Sequence, residues 1–393
     1  MKYSQNLRFW ILIGIVAISG FSQGMLLPLI AIIFEKDGIS SSVNGLHATA
    51  LYIGILFASP LMEAPLRKFG FKPIILFGAL AVAVSLGLFA IWKSFWFWFI
   101  LRLLIGIGDH MLHFGTQTWI TTFSPENKRG RNISLYGLFF GLGFAAGPVM
   151  TRLVEINESL PFFISTAISL AAWFAILFLK NEFPEQDLET SSFFGTIKRF
   201  GQVWKYAWVA LLPPFGYGFL EASLNGNFPV YALRTGIDIN SVSFILPSFA
   251  IGGIVFQLPL GMLSDKYGRK NILISVMLAG FICFTAPGLL KESAIGLAVC
   301  FFIAGMLVGS TFSLGISYMA DLIPKQLLPA GNLMCGIFFS FGSISGPFIG
   351  GLAIEYLKGA SFFYVISSML LLIFIALAVY QPKGALQGKT RSA

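Results

Sequence analysis

The sequence predicts an all-α membrane protein of twelve transmembrane helices, arranged as two six-helix halves that repeat one another in parallel orientation. Three observations carry that expectation. The 393 residues are 56% hydrophobic and 11% charged, with a mean hydropathy of +0.81, whereas a soluble chain carries roughly 25% charged residues. Twelve apolar runs are each near the roughly 20 residues that a membrane-crossing helix needs. Landmarks in the first six runs return in the last six at a near-constant offset.

The runs cover about 8–34, 45–66, 73–92, 95–122, 132–155, 161–180, 207–233, 241–263, 271–290, 294–320, 328–355 and 361–381. Lys2 and Arg8 precede the first, but no small-residue cleavage site follows it. Leu7–Phe34 is also too long for a signal-peptide core, so it is expected to be an uncleaved first span. Pro28, Pro60, Pro148, Pro213, Pro214, Pro247, Pro259 and Pro347 interrupt several runs. Membrane helices tolerate this because neighbours re-satisfy the freed backbone groups. Nineteen of the 26 Lys and Arg fall on the two tails and the even-numbered connections, six on the odd-numbered ones, and Arg102 inside a span. Basic residues concentrate on the cytoplasmic side, so both termini are expected there. The net charge of +9 is therefore a topology signal, and no nucleic-acid partner is expected. Cys283, Cys300 and Cys335 sit in apolar runs without metal-ligand spacing. They are expected to be free thiols, with no metal and no cofactor.

The longest connection, 181–206, starts acidic (Glu182, Glu185, Asp187, Glu189) and turns basic (Lys198, Arg199, Lys205). It divides a bundle at 1–180 from a bundle at 207–393, and Phe193–Trp204 within it has the pattern of an interfacial amphipathic helix. Gly106, Pro125, Phe140, Gly143, Gly147 and Pro148 recur as Gly305, Pro324, Phe339, Gly342, Gly346 and Pro347, each at an offset of 199. Six spans per repeat keep the two copies in the same orientation.

Between the eighth and ninth runs stands Gly261-Met-Leu-Ser-Asp265-Lys266-Tyr-Gly268-Arg269-Lys270. Its glycine allows close helix approach, and its carboxylate can cap a neighbouring helix or pair with the basic residues. The matching first-half segment has Glu63 in place of the glycine and Arg67 in place of the aspartate, so its latch is expected to be rewired or weaker, with Glu63 available as the carboxylate one turn earlier. The second-half segment matches in full the inner-loop pattern G-x-x-x-D-[RK]-x-G-[RK]-[RK]. On this motif and the repeat, the chain resembles a major facilitator superfamily transporter over essentially its whole length. The resemblance implies alternating access around a central site between the halves, with the inner loop as a state-dependent latch.

The fourth run carries Arg102, Asp109, His110 and His113 where hydrocarbon favours none. At roughly 100° per residue, Arg102, Asp109 and His113 share one face, with Gly106, Thr116 and Gln117 near the same line. Ionisable groups at this depth face a bundle interior or a water path, so the stripe is expected to be one wall of the cavity. Asp109 lies about 10 Å from Arg102, too far for a direct pair, and pairing with His113 one turn on, or with a group across the cavity, is expected instead. A buried hydrogen-bond network is the alternative role. Arg102-x-x-x-Gly106-x-Gly108 resembles the R-x-x-x-G-x-G pattern of the proton-coupled drug and metabolite exporters, which implies a part for Arg102 in proton coupling. Asp109 and His110 depart from the small residues that follow there. The pattern G-x-x-x-G-P-x-x-G-G of drug exporters is incomplete at Gly143–Arg152 and complete only in the eleventh run, from Gly342 to Gly351, so it does not decide for antiport.

The seventh run places Glu221 near mid-membrane, with Tyr217 and Asn225 one turn either side. Glu221 is expected to be a second proton site or the partner of a cationic substrate group. Ser19, Ser22 and Gln23 give the first run a matching polar face, and Tyr52, Gln117, Tyr136, Gln257, Ser313 and Asn332 are weaker cavity candidates. No phosphate-binding glycine loop or nucleophile–base pair appears, so an enzyme or an ATP-driven pump is not expected. The expected function is a monomeric, proton-coupled exporter of a small organic molecule in the plasma membrane, its partners being that molecule, protons and the bilayer. Proton symport of a sugar, osmolyte or peptide, and a non-transporting sensor or lipid-handling protein, are the alternatives.

Overall fold

In hydrocarbon every backbone N–H and C=O needs a partner within the chain, and a helix supplies it locally. The computed structural model describes residues 2–123, 126–183, 193–286, 293–324, 327–357 and 361–381, and they are helical nearly throughout. In order the helices are α1 Lys2–Lys36, α2 Ser41–Ala58, α3 Glu63–Phe69, α4 Phe71–Phe89, α5 Phe95–Phe123, α6 Glu126–Ala146, α7 Leu160–Leu177, α8 Phe193–Ala207, α9 Leu212–Arg234, α10 Ile239–Tyr267, α11 Arg269–Thr285, α12 Ala294–Val308, α13 Thr311–Leu322, α14 Leu328–Tyr356 and α15 Ser361–Val379. Twelve spans result. α6 continues through a 3-10 stretch, Gly147–Glu155, to form the fifth, and α12 with α13 forms the tenth. Ten of the spans are long and apolar enough to be recognised by length and hydropathy alone. The other two are α11, which has only 17 residues, and α9, which is diluted by Pro213, Pro214, Glu221, Asn225 and Asn227.

Local chemistry moves some expected boundaries. The second span was expected at 45–66, yet α2 starts at Ser41, where the Ser40 hydroxyl caps the Val43 N–H, and ends at Ala58 before the Pro60 turn. The tenth span breaks at Gly309–Ser310. Within 181–206, residues 184–192 lie outside the described part, and Phe193–Ala207 forms α8. Trp204 of α8 stacks on Phe338 of α14 at 5.8 Å.

The repeat is built into the packing, because the same pairs of backbones touch in both halves. A Cβ on Gly106 would collide with the Leu51 carbonyl, and one on Gly305 with that of Phe249. Gly54 against Leu103 returns as Gly252 against Phe302. Gly20 against Phe140 returns as Gly218 against Phe339, and Gly143 against Ala17 as Gly342 against Phe215. Small residues let membrane helices approach until dispersion contacts hold them, since lipid offers no hydrophobic drive for association.

The start of α1, the end of α15 and α8 lie at one end of the bundle, called here the tail end. The polar ties between the halves gather at the other, far end. There Arg234 grips both carboxylate oxygens of Glu35, at 2.7 and 3.2 Å, and Arg152 donates to Ser243 at 2.5 Å. Ser41 donates to Gly351 O at 3.0 Å, and Glu355 accepts from Ser42 N at 3.0 Å. A first-half clamp sits beside them, with Lys93 Nζ at 2.8 Å from both Asp37 and Glu158. Burial opposes the Lys93 charge, but these two carboxylates outweigh it and hold its pKa above the ordinary value. Toward the tail end, Leu61, Asn332 and Leu333 are exposed, and a Cβ on Gly137 or Gly336 would meet nothing. Arg234→Ala is expected to loosen the far-end closure by roughly 0.2–1 kcal/mol, the range for a partly exposed pair. That is at most about a fivefold shift in the closed-to-open ratio. Far-end maleimide labelling of Ala48→Cys, a site buried under this closure, should speed up accordingly, and an unchanged labelling rate would show that the pair does not hold the closure.

Candidate functional site

The α5 stripe is present, but helix packing divides it. Gly106 sits midway along it, and the α2 backbone at Leu51 presses into that gap. On the far side of the gap Arg102 is fully buried. Its Nη1 donates to His47 Nδ1 at 3.0 Å and its Nη2 to Leu26 O at 3.4 Å, while Nε has no partner. The His47 Nε2 lies 3.1 Å from Phe95 O. A carbonyl can only accept, so Nε2 carries the proton and Nδ1 is free to receive the arginine. Phe34, Phe95 and Phe99 enclose the imidazole, with centroids 4.8, 4.9 and 5.6 Å away. No carboxylate among the described residues pairs with Arg102.

On the tail side of the gap the polar groups form one connected cluster. Asp109, 1% exposed, accepts from Ser19 Oγ at 2.7 Å. Ser19 Oγ is also 3.1 Å from His113 Nε2, and His113 Nδ1 is 2.6 Å from the Tyr136 hydroxyl. Gln23 Nε2 reaches His113 Nε2 at 3.1 Å and Ser19 Oγ at 3.3 Å. Asp109 Oδ2 has no partner at full hydrogen-bond distance among the described residues, although the Gln23 side chain also reaches toward this carboxylate. Two expectations are corrected here. Asp109 and His113 do not bond directly but meet at Ser19. The stripe is also not the cavity surface, because Arg102, Asp109 and Thr116 are buried where α1 and α2 pack over α5. His110 stacks on Phe114.

The repeat relates Ser19 and Gln23 of α1 to Tyr217 and Glu221 of α9, and His113 and Phe140 to Phe312 and Phe339. The second half therefore holds aromatics where the first holds its polar cluster. Tyr217, Phe312 and Phe339 lie mutually 5.3 to 6.3 Å apart, each partly exposed. Glu221 is partly exposed beside them, and no side chain among the described residues hydrogen-bonds its carboxylate. Tyr52 links the clusters across the two halves. It hydrogen-bonds Ser343 of α14 and feels the charges of both Glu221 and Arg102. Asn225 bonds the Glu221 backbone O at 2.9 Å rather than its carboxylate. Gln117, Gln257, Ser313 and Asn332 are exposed on their helices.

The inner-loop segment differs in detail from its expected action. A Cβ on Gly261 would meet nothing, so no helix approaches it, and Asp265 is largely exposed and caps no helix. Instead Arg269 is the hub. It contacts Asp265 at 3.3 Å, Asp321 of α13 at 2.6 Å and Ser317 O at 2.8 Å, while Lys270 reaches Tyr380 O at 2.6 Å. Gly268 turns the chain at φ 90°, a conformation that side chains resist. Lys266 lies over the Tyr267 ring at 5.3 Å. In the first half Glu63 and Arg67 lie on α3, but their side chains are outside the described part. A carboxylate comes from elsewhere in that region: Glu182, just after α7, pairs with Arg8 and accepts from Trp119 Nε1 at 2.6 Å. Its backbone O takes the Phe71 N–H at 2.9 Å.

His47 and Glu182 are the contributors that sequence reasoning missed. A lone histidine inside an apolar run was the available signal for the first. Nothing marked the second among its acidic neighbours.

Comparison with known proteins completes the picture. The Major Facilitator Superfamily profile matches residues 12–239 and 214–392. The uncharacterized MFS-type transporter YfkF of Bacillus subtilis (strain 168) is 56% identical over 386 residues, 98% of either chain. Multidrug resistance protein 1 of the same organism is 26% identical over 386 residues, 95% of this chain and 96% of that one. The solved nucleoside transporter NupG superposes with a TM-score of 0.75 at 15% identity, covering 96% of this chain and all of that one. A bacterial homologue of the lysosomal transporter Spinster, in an inward-facing and unoccupied conformation, gives 0.67 at 14% identity over 96% of this chain and 95% of that one. At such identities the structures speak for the fold alone. The chain is a multi-pass membrane transporter, not an enzyme, and belongs to the Major Facilitator Superfamily.

Proposed function

We propose that the protein is a proton-coupled exporter of amphipathic organic cations in the plasma membrane, working as a monomer with both termini and α8 in the cytoplasm. Halves at 1–180 and 207–393, joined by 181–206, rock about the central site. The observation that carries this reading is a pair of carboxylates deep in the bundle, one per half, neither with a full set of partners among the described residues: Asp109 Oδ2 has no hydrogen bond, and no side chain hydrogen-bonds the Glu221 carboxylate. Burying such groups is expensive unless a proton or a cation periodically neutralises them. Arg102, about 10 Å from Asp109, adds a positive field that favours proton release. Glu221 beside Tyr217, Phe312 and Phe339 can take either a proton or a cationic ring system, and so exchange one for the other. Tyr52, Tyr136, Gln23, Asn225, Gln117 and Gln257 offer weaker contacts. The Gly261–Lys270 segment and its first-half counterpart serve as latches, and the bare Gly261 marks the second-half latch as disengaged. The likeness to a multidrug resistance protein favours export over uptake.

The test uses proteoliposomes with an acidic lumen containing a pH-sensitive dye. Adding ethidium or tetraphenylphosphonium outside should alkalinise the lumen as protons leave in exchange. If neither cation moves protons, and a pH gradient moves neither cation, this reading fails. Glu221→Gln is expected to raise the half-maximal cation concentration by about tenfold or more, the value of a lost charged contact.

A further inference from the structure

Asp109 poses a problem of access. It is 1% exposed and covered by α1, yet on the reading above, on which this inference rests, it must trade a proton with water. We infer that Ser19, His113 and Tyr136 form a proton wire joining Asp109 to the open space beside Gly137 toward the tail end.

The geometry is continuous. Asp109 Oδ1 to Ser19 Oγ is 2.7 Å, Ser19 Oγ to His113 Nε2 is 3.1 Å, and His113 Nδ1 to Tyr136 Oη is 2.6 Å. Each span is a hydrogen-bond length. The wire also runs the right way. α5 descends from the far end, so His113 lies about 6 Å nearer the tail end than Asp109. Tyr136 stands on α6, which begins at the tail end, and both it and His113 are partly exposed. Its neighbour Gly137 is exposed and faces open space. Imidazole is the one side chain here that can take a proton on one nitrogen and give another from the opposite one. Gln23, with its amide 3.1 Å from Nε2, holds the ring in register.

In release, the Asp109 carboxyl passes its proton to Ser19 Oγ, and Ser19 passes its own to His113 Nε2. His113 then gives the Nδ1 proton to Tyr136 Oη, and Tyr136 gives its own to water. Each relay ends with the protons it began with, Asp109 is left as carboxylate, and one proton reaches water beside Tyr136. The Ser19 hydroxyl then donates to Asp109, as it does in the structure, and the new Nε2 proton faces Gln23, whose amide turns its oxygen to accept it. Beyond the field of Arg102, no other charged side chain among the described residues contacts the wire. The titratable neighbours are His110 and His113 on α5 and Tyr136 on α6. α1 presents neutral Ser19 and Gln23, α4 presents Gly78, and His47 and Tyr52 of α2 face Arg102 instead. The repeat-related residues Tyr217, Val308, Phe312 and Cys335 cannot form such a chain, so the wire belongs to the first half alone.

The experiment needs no substrate. Purified full-length protein is given a pH jump from a caged proton, and the Asp109 carboxyl band, assigned by subtraction of Asp109→Asn, is followed by time-resolved infrared absorbance. Tyr136→Phe and Ser19→Ala are expected to slow the band at least tenfold while leaving its final amplitude, and Ser19→Thr, which keeps the hydroxyl, to retain the wild-type rate. A purely structural role would change amplitude rather than rate. Wild-type rates in Tyr136→Phe and Ser19→Ala overturn the wire while leaving Asp109 a proton site. Absence of any titrating band that Asp109→Asn removes overturns both the wire and the proton role beneath it.

Discussion

Asp109→Asn is expected to abolish cation-driven proton movement, by roughly a hundredfold or more, the usual loss when a positioned acid–base group is removed. The substitution changes little else. Asparagine has the same shape, and its Oδ1 can still accept from Ser19, whose hydroxyl lies 2.7 Å from that position. Its amide nitrogen takes the place of Oδ2, which has no partner at full hydrogen-bond distance in the wild type, so two N–H groups are left unsatisfied. That costs about 1–3 kcal/mol, enough to lower Tm by several degrees but not to unfold the chain. What asparagine cannot do is accept and release a proton. Lumenal alkalinisation on adding ethidium to proteoliposomes reads this directly. Flux near the wild-type level from a folded Asp109→Asn protein would mean that the proton travels elsewhere, and Glu221 becomes the first place to look.

The fold was legible because it is written in backbone contacts. Gly106 and Gly305 each sit where another helix touches, so neither position admits a side chain, and the offset of 199 in sequence is the trace of one packing scheme used twice. The short α11 and the polar α9 are the least clear spans as folded helices, yet the apolar runs 271–290 and 207–233 already marked them in the sequence. The site was less legible. Helical periodicity says which face a residue occupies, not which neighbour meets it. Arg102 and Asp109 share a face yet belong to different clusters, because α2 packs into the gap between them at Gly106. The inner-loop motif supplied residues but not the conformation, so Gly261 was expected against a helix and stands bare. The first-half carboxylate was sought at Glu63, within the motif. The carboxylate found in that region is that of Glu182, more than a hundred positions away, which pairs with Arg8 and Trp119 and whose backbone O takes the Phe71 N–H, brought there by the return of α7.

Gly305→Ala should be among the most destabilising single-atom additions available in this chain. Its Cβ would lie 2.8 Å from the Phe249 carbonyl carbon and closer still to the oxygen. The obstacle is backbone, which cannot rotate away, so α10 and α12 must separate by about an ångström. Overpacking of this kind costs about 1–3 kcal/mol when side chains can yield, and the upper end or beyond is expected here. Separated membrane helices also lose the dispersion and Cα–H···O contacts that hold them. A Tm lower by roughly 5 °C or more in detergent is the expected reading. Gly336→Ala is the control. Its Cβ meets nothing, and alanine gains up to about 1 kcal/mol of helix propensity, so Tm should hold or rise. Equal Tm values for the two variants would refute the close-contact account. The repeat then sharpens the comparison. Gly106→Ala meets Leu51 as Gly305→Ala meets Phe249, and its stability loss should be similar. Yet Gly106 is flanked by Arg102 and Asp109, where Gly305 is flanked by Phe301 and Val308. Pushing α2 away from α5 displaces His47 from Arg102, so Gly106→Ala is expected to impair proton flux per folded molecule, and Gly305→Ala to cost stability alone.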